Sequence, residues 1–159
     1  SKIVIGHTVH KITQSSNSKE IMRSIQVTHM GQGFGFDDIA YNCCLDQEGE
    51  CFECRPYDKV PSLLQGHNVD GCAVGLIGRF DEHEDSQIIT DEMVKRFGKQ
   101  LGRIAYEKLG LSSLERNKNI FGMSELSDRY PLSPGKRFMD RFDEIVKIAN
   151  QEIEKRLKQ

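Results

Sequence analysis

The sequence predicts an α/β fold, with a central mixed β-sheet flanked by helices. Three observations carry this prediction: short apolar runs alternate with longer segments of helical periodicity, a hairpin signal lies among them, and no internal repeat or linker interrupts the chain. The resulting order is strand, helix, hairpin, strand, helix, strand and helix, which is typical of a layered α/β protein. At 159 residues, the chain fits a single domain, residues 1–159, that is large enough to bury a core.

The N-terminal part of the chain predicts one strand and one helix. The run Lys2–His7 is apolar and ends at a histidine, which favours a buried strand. Asn17 followed three residues later by Glu20 is the pattern of a helix start, because the asparagine side chain can accept hydrogen bonds from the first free N–H groups. We expect the helix to end at Gly31.

The segment Tyr41–Pro56 predicts a β-hairpin whose first strand opens with Tyr41. Its turn signal is Asp46–Gly49, because Gly49 can take the positive φ that a hairpin loop often needs. The later run Cys72–Gly78 is apolar on both faces and therefore predicts a central strand.

The second half of the chain predicts two long helices separated by a short strand. The first helix starts near Thr90 and is stopped by Gly110, with two glycines one turn apart that favour tight packing on the sheet. Asn119–Gly122 reads as the strand. A polar loop then leads through Ser133–Gly135 to a last helix at Arg137–Leu157.

Composition limits the classes of function. The formal net charge of −2 gives no support to wholesale nucleic-acid binding, which needs a basic excess. No apolar run approaches the roughly 20 residues of a membrane-spanning helix, and we expect no signal peptide in the sequence as given. The localisation stays open, although unpaired cysteines favour synthesis in a reducing compartment such as the cytoplasm.

The cysteines allow two interpretations. The chain has five of them: Cys43, Cys44, Cys51, Cys54 and Cys72. The first four lie close in sequence, and the last two of these form a C-x-x-C, so a zinc knuckle or a redox pair is one hypothesis. The favoured interpretation is that they are small core hydrophobes, because adjacent cysteines in a strand point to opposite faces of a sheet.

Four segments occur in a characteristic order and spacing: Ile5–Thr8, then Asp38–Asn42 with Gly49–Pro56, then Asn68–Phe80, and finally Gly122 with Ser133–Gly135. In these segments the chain resembles the type 2 N-acetylmuramoyl-L-alanine amidases. That superfamily includes amidase-type phage lysozymes and animal peptidoglycan recognition proteins. The resemblance covers most of the chain and implies their fold, with peptidoglycan or muropeptides as the ligand.

The resemblance also implies a zinc site that is degenerate in this chain. The family holds zinc with two histidines and a cysteine and leaves one position for water. His7 matches the first ligand, and Tyr41 matches the family tyrosine that steadies the oxyanion. The other two ligand positions fall on Met123 and Ser133. A thioether suits copper(I) rather than zinc, and a neutral serine hydroxyl is a poor zinc ligand.

Further residues complete the expected site. The residues expected to line the substrate groove are His7, Tyr41, His67, Asn68, Met123 and Ser133. Glu125, Asp128 or His67 could act as substitute zinc ligands, because carboxylates and imidazoles both bind this ion.

Three functional hypotheses follow. The first is a peptidoglycan recognition domain in which zinc-dependent amide hydrolysis is lost or impaired. The alternative is an active zinc amidase, a cell-wall lysin with replaced metal ligands. The sequence leaves the source open, with a phage or prophage origin as one hypothesis. The third is a protein-interaction role, since some amidase-type phage lysozymes also bind a polymerase, but no sequence feature locates such a surface.

Overall fold

The computed structural model describes residues 1–13, 15–31, 40–59, 61 and 71–159. These residues form one five-stranded sheet whose strand order is β3-β2-β4-β1-β5. The strands are β1 (Lys2–His7), β2 (Cys43–Leu45), β3 (Cys51–Glu53), β4 (Gly71–Leu76) and β5 (Ile120–Gly122). The β2–β3 hairpin is antiparallel and the other pairs are parallel, so the predicted mixed sheet is confirmed.

Helices cover both faces of this sheet, as the sequence predicts. They are α1 (Ser18–Met30), α2 (Asp91–Arg103), α3 (Met123–Leu126), α4 (Lys136–Met139) and α5 (Phe142–Leu157). A π-helical segment, Ile104–Lys108, continues α2. No helix among the described residues combines the length and the apolar character needed to cross a membrane.

The predicted signals for the hairpin and for α1 are confirmed in detail. Asp46 Oδ1 accepts hydrogen bonds from the N–H groups of Glu48 and Glu50 at 3.0 and 2.8 Å, and Gly49 has a φ of 82°. Asn17 Oδ1 accepts from the first N–H groups of α1 at 3.0 and 3.2 Å. Tyr41, however, lies two residues before β2 rather than opening it.

The face of the sheet that carries α2 and α5 holds the main core. Four phenylalanines there are completely buried, and they are Phe80, Phe97, Phe138 and Phe142. Gly98 allows α2 to approach α5 closely, because a Cβ at this position would lie 2.7 Å from Ile148 Cβ. The glycines of α2 therefore serve packing on α5 rather than on the sheet, which corrects the sequence prediction.

Two segments near the C-terminus differ from the prediction. The single helix predicted at Arg137–Leu157 is two helices, α4 and α5, because Arg141 leaves helical geometry between them. Its guanidinium donates to the carbonyl of Ile89 at 3.0 Å and pairs with Asp91, which ties the break to the start of α2. The loop predicted after β5 begins with α3, and the residue that precedes this helix, Gly122, donates its N–H to the Glu125 carboxylate at 2.9 Å.

Candidate functional site

Three of the side chains proposed for the site meet beside Gly6, near the carboxyl end of β1. A Cβ built on Gly6 would lie 3.0 Å from Tyr41 Oη and 3.2 Å from Ser133 Oγ, and it would overlap Met123 Sδ. Tyr41 belongs to the smaller apolar cluster beneath α1, so this assembly lies on the α1 face of the sheet. We call Gly6, Tyr41, Met123 and Ser133 the Gly6 cluster.

Hydrogen bonds tie the Gly6 cluster to the backbone of β1. Ser133 Oγ accepts from the N–H of His7 at 3.2 Å and lies 3.3 Å from Met123 Sδ, to which it can donate. Tyr41 Oη donates to the carbonyl of His7 at 3.4 Å. Both hydroxyls therefore bind the peptide groups of one residue, and the thioether fills the space between them and Gly6.

The side chains of the cluster are almost completely buried. The exposed fractions of Tyr41, Met123 and Ser133 are 6%, 3% and 8%. Burial raises the pKa of Tyr41 well above its ordinary value, so its phenol is protonated and acts as a hydrogen-bond donor at neutral pH.

The imidazole of His7 does not join the Gly6 cluster. Successive side chains of a strand point to opposite faces, and Ile3 and Ile5 face the main core, so His7 faces that side as well. Its Nδ1 accepts from the N–H of Phe80 at 3.2 Å. A neutral ring with Nδ1 as acceptor carries its proton on Nε2, so neither nitrogen offers a lone pair to a metal ion.

The surroundings of His7 keep its ring neutral. Burial lowers the pKa of His7 to about 4, with Asp81 acting in the opposite direction and Arg79 reinforcing the shift. Arg79 and Asp81 form an ion pair, with 2.9 Å between Nε and Oδ1. The hydrogen bond from Arg79 is the largest cause that holds the pKa of Asp81 well below its ordinary range.

Gly6 is the site position that the sequence reasoning missed. That reasoning selected His7 because histidine is a common zinc ligand and ends the strand. The alternation of side chains along a strand could have identified Gly6. Ile3 and Ile5 point to the main core, so His7 points there too, and Gly6 points to the opposite face. The role of His7 as a zinc ligand stays a prediction, and the contacts of its ring speak against it.

The remaining predicted residues are distributed as follows. His67 and Asn68 lie outside the described residues. Glu125 is already engaged, since Oε1 accepts from Gly122 and Oε2 lies 3.1 Å from Arg116. Asp128 is exposed in the turn after α3.

The described side chains do not fit a zinc ion. No three histidine, cysteine, aspartate or glutamate side chains lie close enough to share a metal in the part of the chain that the structure describes. The Gly6 cluster supplies a phenol, a thioether and a hydroxyl, whereas a catalytic zinc requires three ligands drawn from imidazole, thiolate and carboxylate.

The cysteines of the hairpin divide between the two faces of the sheet. Cys43 is buried in the main core with Cys51 beside it, whereas Cys44 is buried beneath α1 with Cys54 beside it. The four sulfurs therefore do not converge as a zinc knuckle requires. Cys43, Cys44 and Cys72 are core residues, as the favoured interpretation predicted.

Comparison with known proteins gives matches to solved structures alone. No protein-family model and no curated protein sequence matches the chain. Peptidoglycan recognition protein SA of bumblebee superposes with a TM-score of 0.71 at 23% identity, covering 89% of this chain and 79% of that chain. N-acetylmuramoyl-L-alanine amidase LysC from Clostridium intestinale gives 0.66 at 21% identity, covering 91% and 80%.

A third structure carries a bound ligand. Peptidoglycan recognition protein LE, solved in complex with tracheal cytotoxin, a monomeric diaminopimelic acid-type peptidoglycan, gives a TM-score of 0.71 at 22% identity. It covers 89% of this chain and 77% of that chain. Likeness at this level of identity concerns the fold alone. The chain has the fold of these peptidoglycan recognition proteins and of this amidase, as the sequence predicted.

Proposed function

We propose that this chain binds peptidoglycan fragments and does not hydrolyse them. The fold supports the ligand class, because proteins with the same fold include one solved with a muropeptide. The proposed absence of hydrolysis rests on the side chains that form the Gly6 cluster. Where the family resemblance implies zinc ligands, this chain places the thioether of Met123 and the hydroxyl of Ser133 against a residue without a side chain.

The loss of hydrolysis follows from metal chemistry. A protein zinc site replaces water on the ion with imidazole, thiolate or carboxylate ligands, and the ion generates hydroxide only when one position stays open. Met123 and Ser133 are neutral and bind each other, with 3.3 Å between Oγ and Sδ. An ion beside them would lose hydration without adequate compensation.

Exposed side chains near the cluster supply candidate ligand contacts. Tyr130 and Leu132 lie in the segment that leads to Ser133, and their exposed fractions are 38% and 61%. An aromatic ring and an aliphatic side chain suit the apolar faces of sugars and the methyl groups of a stem peptide. The buried hydroxyl of Ser133 anchors the end of this segment to β1, because it accepts from the N–H of His7.

Calorimetry with a monomeric diaminopimelic acid-type muropeptide tests the proposal. We expect saturable heat that is unchanged by a chelator, with the ligand recovered intact by mass spectrometry. Leu132→Ser should weaken binding by about tenfold, roughly 1.4 kcal/mol. Ile88→Ser is the matched control, because Ile88 is equally apolar and 74% exposed but lies in the segment before α2.

Two outcomes would contradict the proposal. The absence of binding heat at millimolar muropeptide would contradict the proposed binding of peptidoglycan fragments. Release of the peptide from the sugar, together with stoichiometric zinc in protein purified without chelator, would establish the alternative of an active amidase. In that case Glu125→Gln, Asp128→Asn and His67→Ala would identify the substitute ligand through loss of zinc.

A further inference from the structure

Two thiols on the α1 face of the hairpin lie in contact. Cys44 Sγ and Cys54 Sγ are 4.0 Å apart, and both residues are free cysteines. The two cysteines lie on the two arms of the hairpin, because Cys44 is in β2 and Cys54 directly follows β3. Cys44 pairs with Phe52 in the hairpin and Cys54 follows two residues later, so the two cysteines are diagonal neighbours. Closing a disulfide bond of about 2.0 Å therefore requires a shift of the backbone around Cys54 as well as rotation of the two side chains.

The two thiols differ in their access to solvent. Cys44 is completely buried, whereas Cys54 is half-buried and lines a cavity of about 460 Å³ between α1 and the hairpin. Lys19 and Arg23 of α1 line the same cavity, together with Glu53 of β3, whose carboxylate is paired with Lys108. A dissolved disulfide with negative charge can therefore approach Cys54 first, and its carboxylates would meet two cations there.

We propose that Cys44 and Cys54 form a redox-active dithiol that low-molecular-weight disulfides such as glutathione disulfide convert to an intramolecular disulfide. Nothing in this inference depends on peptidoglycan binding. The arrangement is that of an accessible thiol with a buried resolving thiol behind it. The neighbouring pair, Cys43 and Cys51, lies on the other face of the hairpin and is the internal comparison.

The exchange proceeds in two balanced steps. The thiolate of Cys54 attacks one sulfur of glutathione disulfide, which forms a mixed disulfide and releases one glutathione thiolate. Cys44, after losing its proton to solvent, attacks the Cys54 sulfur and expels the second glutathione. The protein thus loses two electrons and two protons, and glutathione disulfide gains them as two glutathione thiols.

The electrostatics of the sulfurs support this order of attack. The hydrogen bond with Cys54 and burial raise the pKa of Cys44 well above its ordinary value, so Cys44 is a poor first nucleophile. On the opposite face, a hydrogen bond from Cys43 is the main cause that lowers the pKa of Cys51 to about 7. Cys51 is therefore the competing thiol that the experiment must distinguish.

Cys44 and the Tyr41 of the Gly6 cluster are neighbours on the α1 face of the sheet. A Cβ on Gly75 would lie 3.0 Å from Cys44 Sγ and 2.9 Å from Tyr41 Cδ2, so the sulfur and the tyrosine ring flank the same backbone position. Movement of Cys44 Sγ toward Cys54 would open space beside that ring. Oxidation would thereby change the packing behind Tyr41.

Oxidation followed by peptide mapping tests the proposal. The reduced full chain is incubated with glutathione disulfide, its remaining thiols are alkylated, and it is digested with a glutamate-specific protease. Cleavage after Glu50 and Glu53 separates Cys51 from Cys54, so links to these two residues give different peptides. The peptide that starts at Cys54 also contains Cys72, and fragmentation of the linked peptide distinguishes these two sulfurs. We expect a peptide containing Cys44 joined to the peptide that starts at Cys54, and two fewer titratable thiols than the five of the reduced chain.

Matched variants identify the second sulfur of the link. Cys43→Ser and Cys44→Ser alter adjacent residues that are both completely buried, so they carry similar structural risk. The link should persist in Cys43→Ser and be lost in Cys44→Ser. If Cys44→Ser fails to fold, Cys54→Ser tests the same link at a half-buried position. This variant should form no intramolecular disulfide when it is treated with glutathione disulfide. A link through Cys51, or only a mixed disulfide with glutathione at Cys54, would overturn the proposal.

Discussion

The two faces of the sheet pack against different kinds of side chain. The face beneath α2 and α5 carries closely packed aromatic rings, with Phe138 and Phe142 centroids 5.0 Å apart and Phe80 and Phe97 centroids 6.3 Å apart. The face beneath α1 carries a small apolar cluster with thiols, a tyrosine and glycines at the points of close approach. Among the described residues, most of the buried apolar side chains lie on the face beneath α2 and α5. We therefore expect that face to contribute more to the folding free energy than the face beneath α1, whose side chains can then change with less cost to stability.

The largest expected effect tests this division of stability. Phe97→Ala should lower the free energy of unfolding by about 3–5 kcal/mol, because it leaves a cavity in a rigid aromatic core. Met22→Ala, in the cluster beneath α1, should cost about 2 kcal/mol, because Met22 retains some exposure and its surroundings can collapse. Chemical denaturation of both variants measures the difference, and equal losses would contradict the division.

The pH dependence of stability tests whether His7 belongs to the core face. Its folded pKa of about 4 lies below its ordinary value of 6.5, so the unfolded chain binds more protons between these values. Stability should be complete above pH 6.5 and fall by about 3 kcal/mol as the pH drops toward 4. Urea unfolding at several pH values measures this slope.

A matched pair of variants assigns that slope. His7→Gln keeps an acceptor for the N–H of Phe80 but does not titrate, so most of the slope should disappear. His83→Gln alters an exposed histidine and should leave the slope in place. A slope that survives in His7→Gln would show that the ring of His7 is not the buried group described here.

A smaller effect is expected where the glycines of α2 meet α5. Gly98→Ala should destabilise the protein by about 1–3 kcal/mol, because the added methyl group meets Ile148 and the backbone carbonyl of Ile145, at 2.7 and 2.9 Å. Gly110→Ala, in contrast, adds a methyl group that meets no atom within 4 Å but must adopt a φ of 65°. Thermal unfolding of both variants separates crowding between helices from backbone strain, and an unchanged melting temperature for Gly98→Ala would contradict the close α2–α5 contact.

Local sequence signals predicted the elements well, and distant contacts explain the differences. The cap at Asn17 and the turn at Gly49 depend on residues within a few positions, so they could be read directly. The break at Arg141 depends on Ile89 and Asp91, about fifty positions earlier, which no local pattern reports. The short helix α3 likewise involves a contact from outside it, because the Glu125 carboxylate that caps it is bound by Arg116, nine residues earlier.

The candidate site shows a different limit. A residue type suggested His7, but the pleat of β1 determines which residue faces Tyr41, and that residue is Gly6. The positions of Met123 and Ser133 came from the family resemblance, and the structure places them together although ten residues separate them. The sulfur contact between Cys44 and Cys54 could not be predicted, because it depends on strand register rather than on spacing.

Zinc binding by restored variants tests the central claim most directly. Two variants are compared for zinc content after dialysis: Met123→His/Ser133→Cys, which relies on native His7 as the third ligand, and the same pair with Gly6→His. The geometry predicts stoichiometric zinc in the triple variant alone, because position 6 faces the other two and His7 faces the main core. Stoichiometric zinc in the double variant, abolished by His7→Ala, would contradict this account.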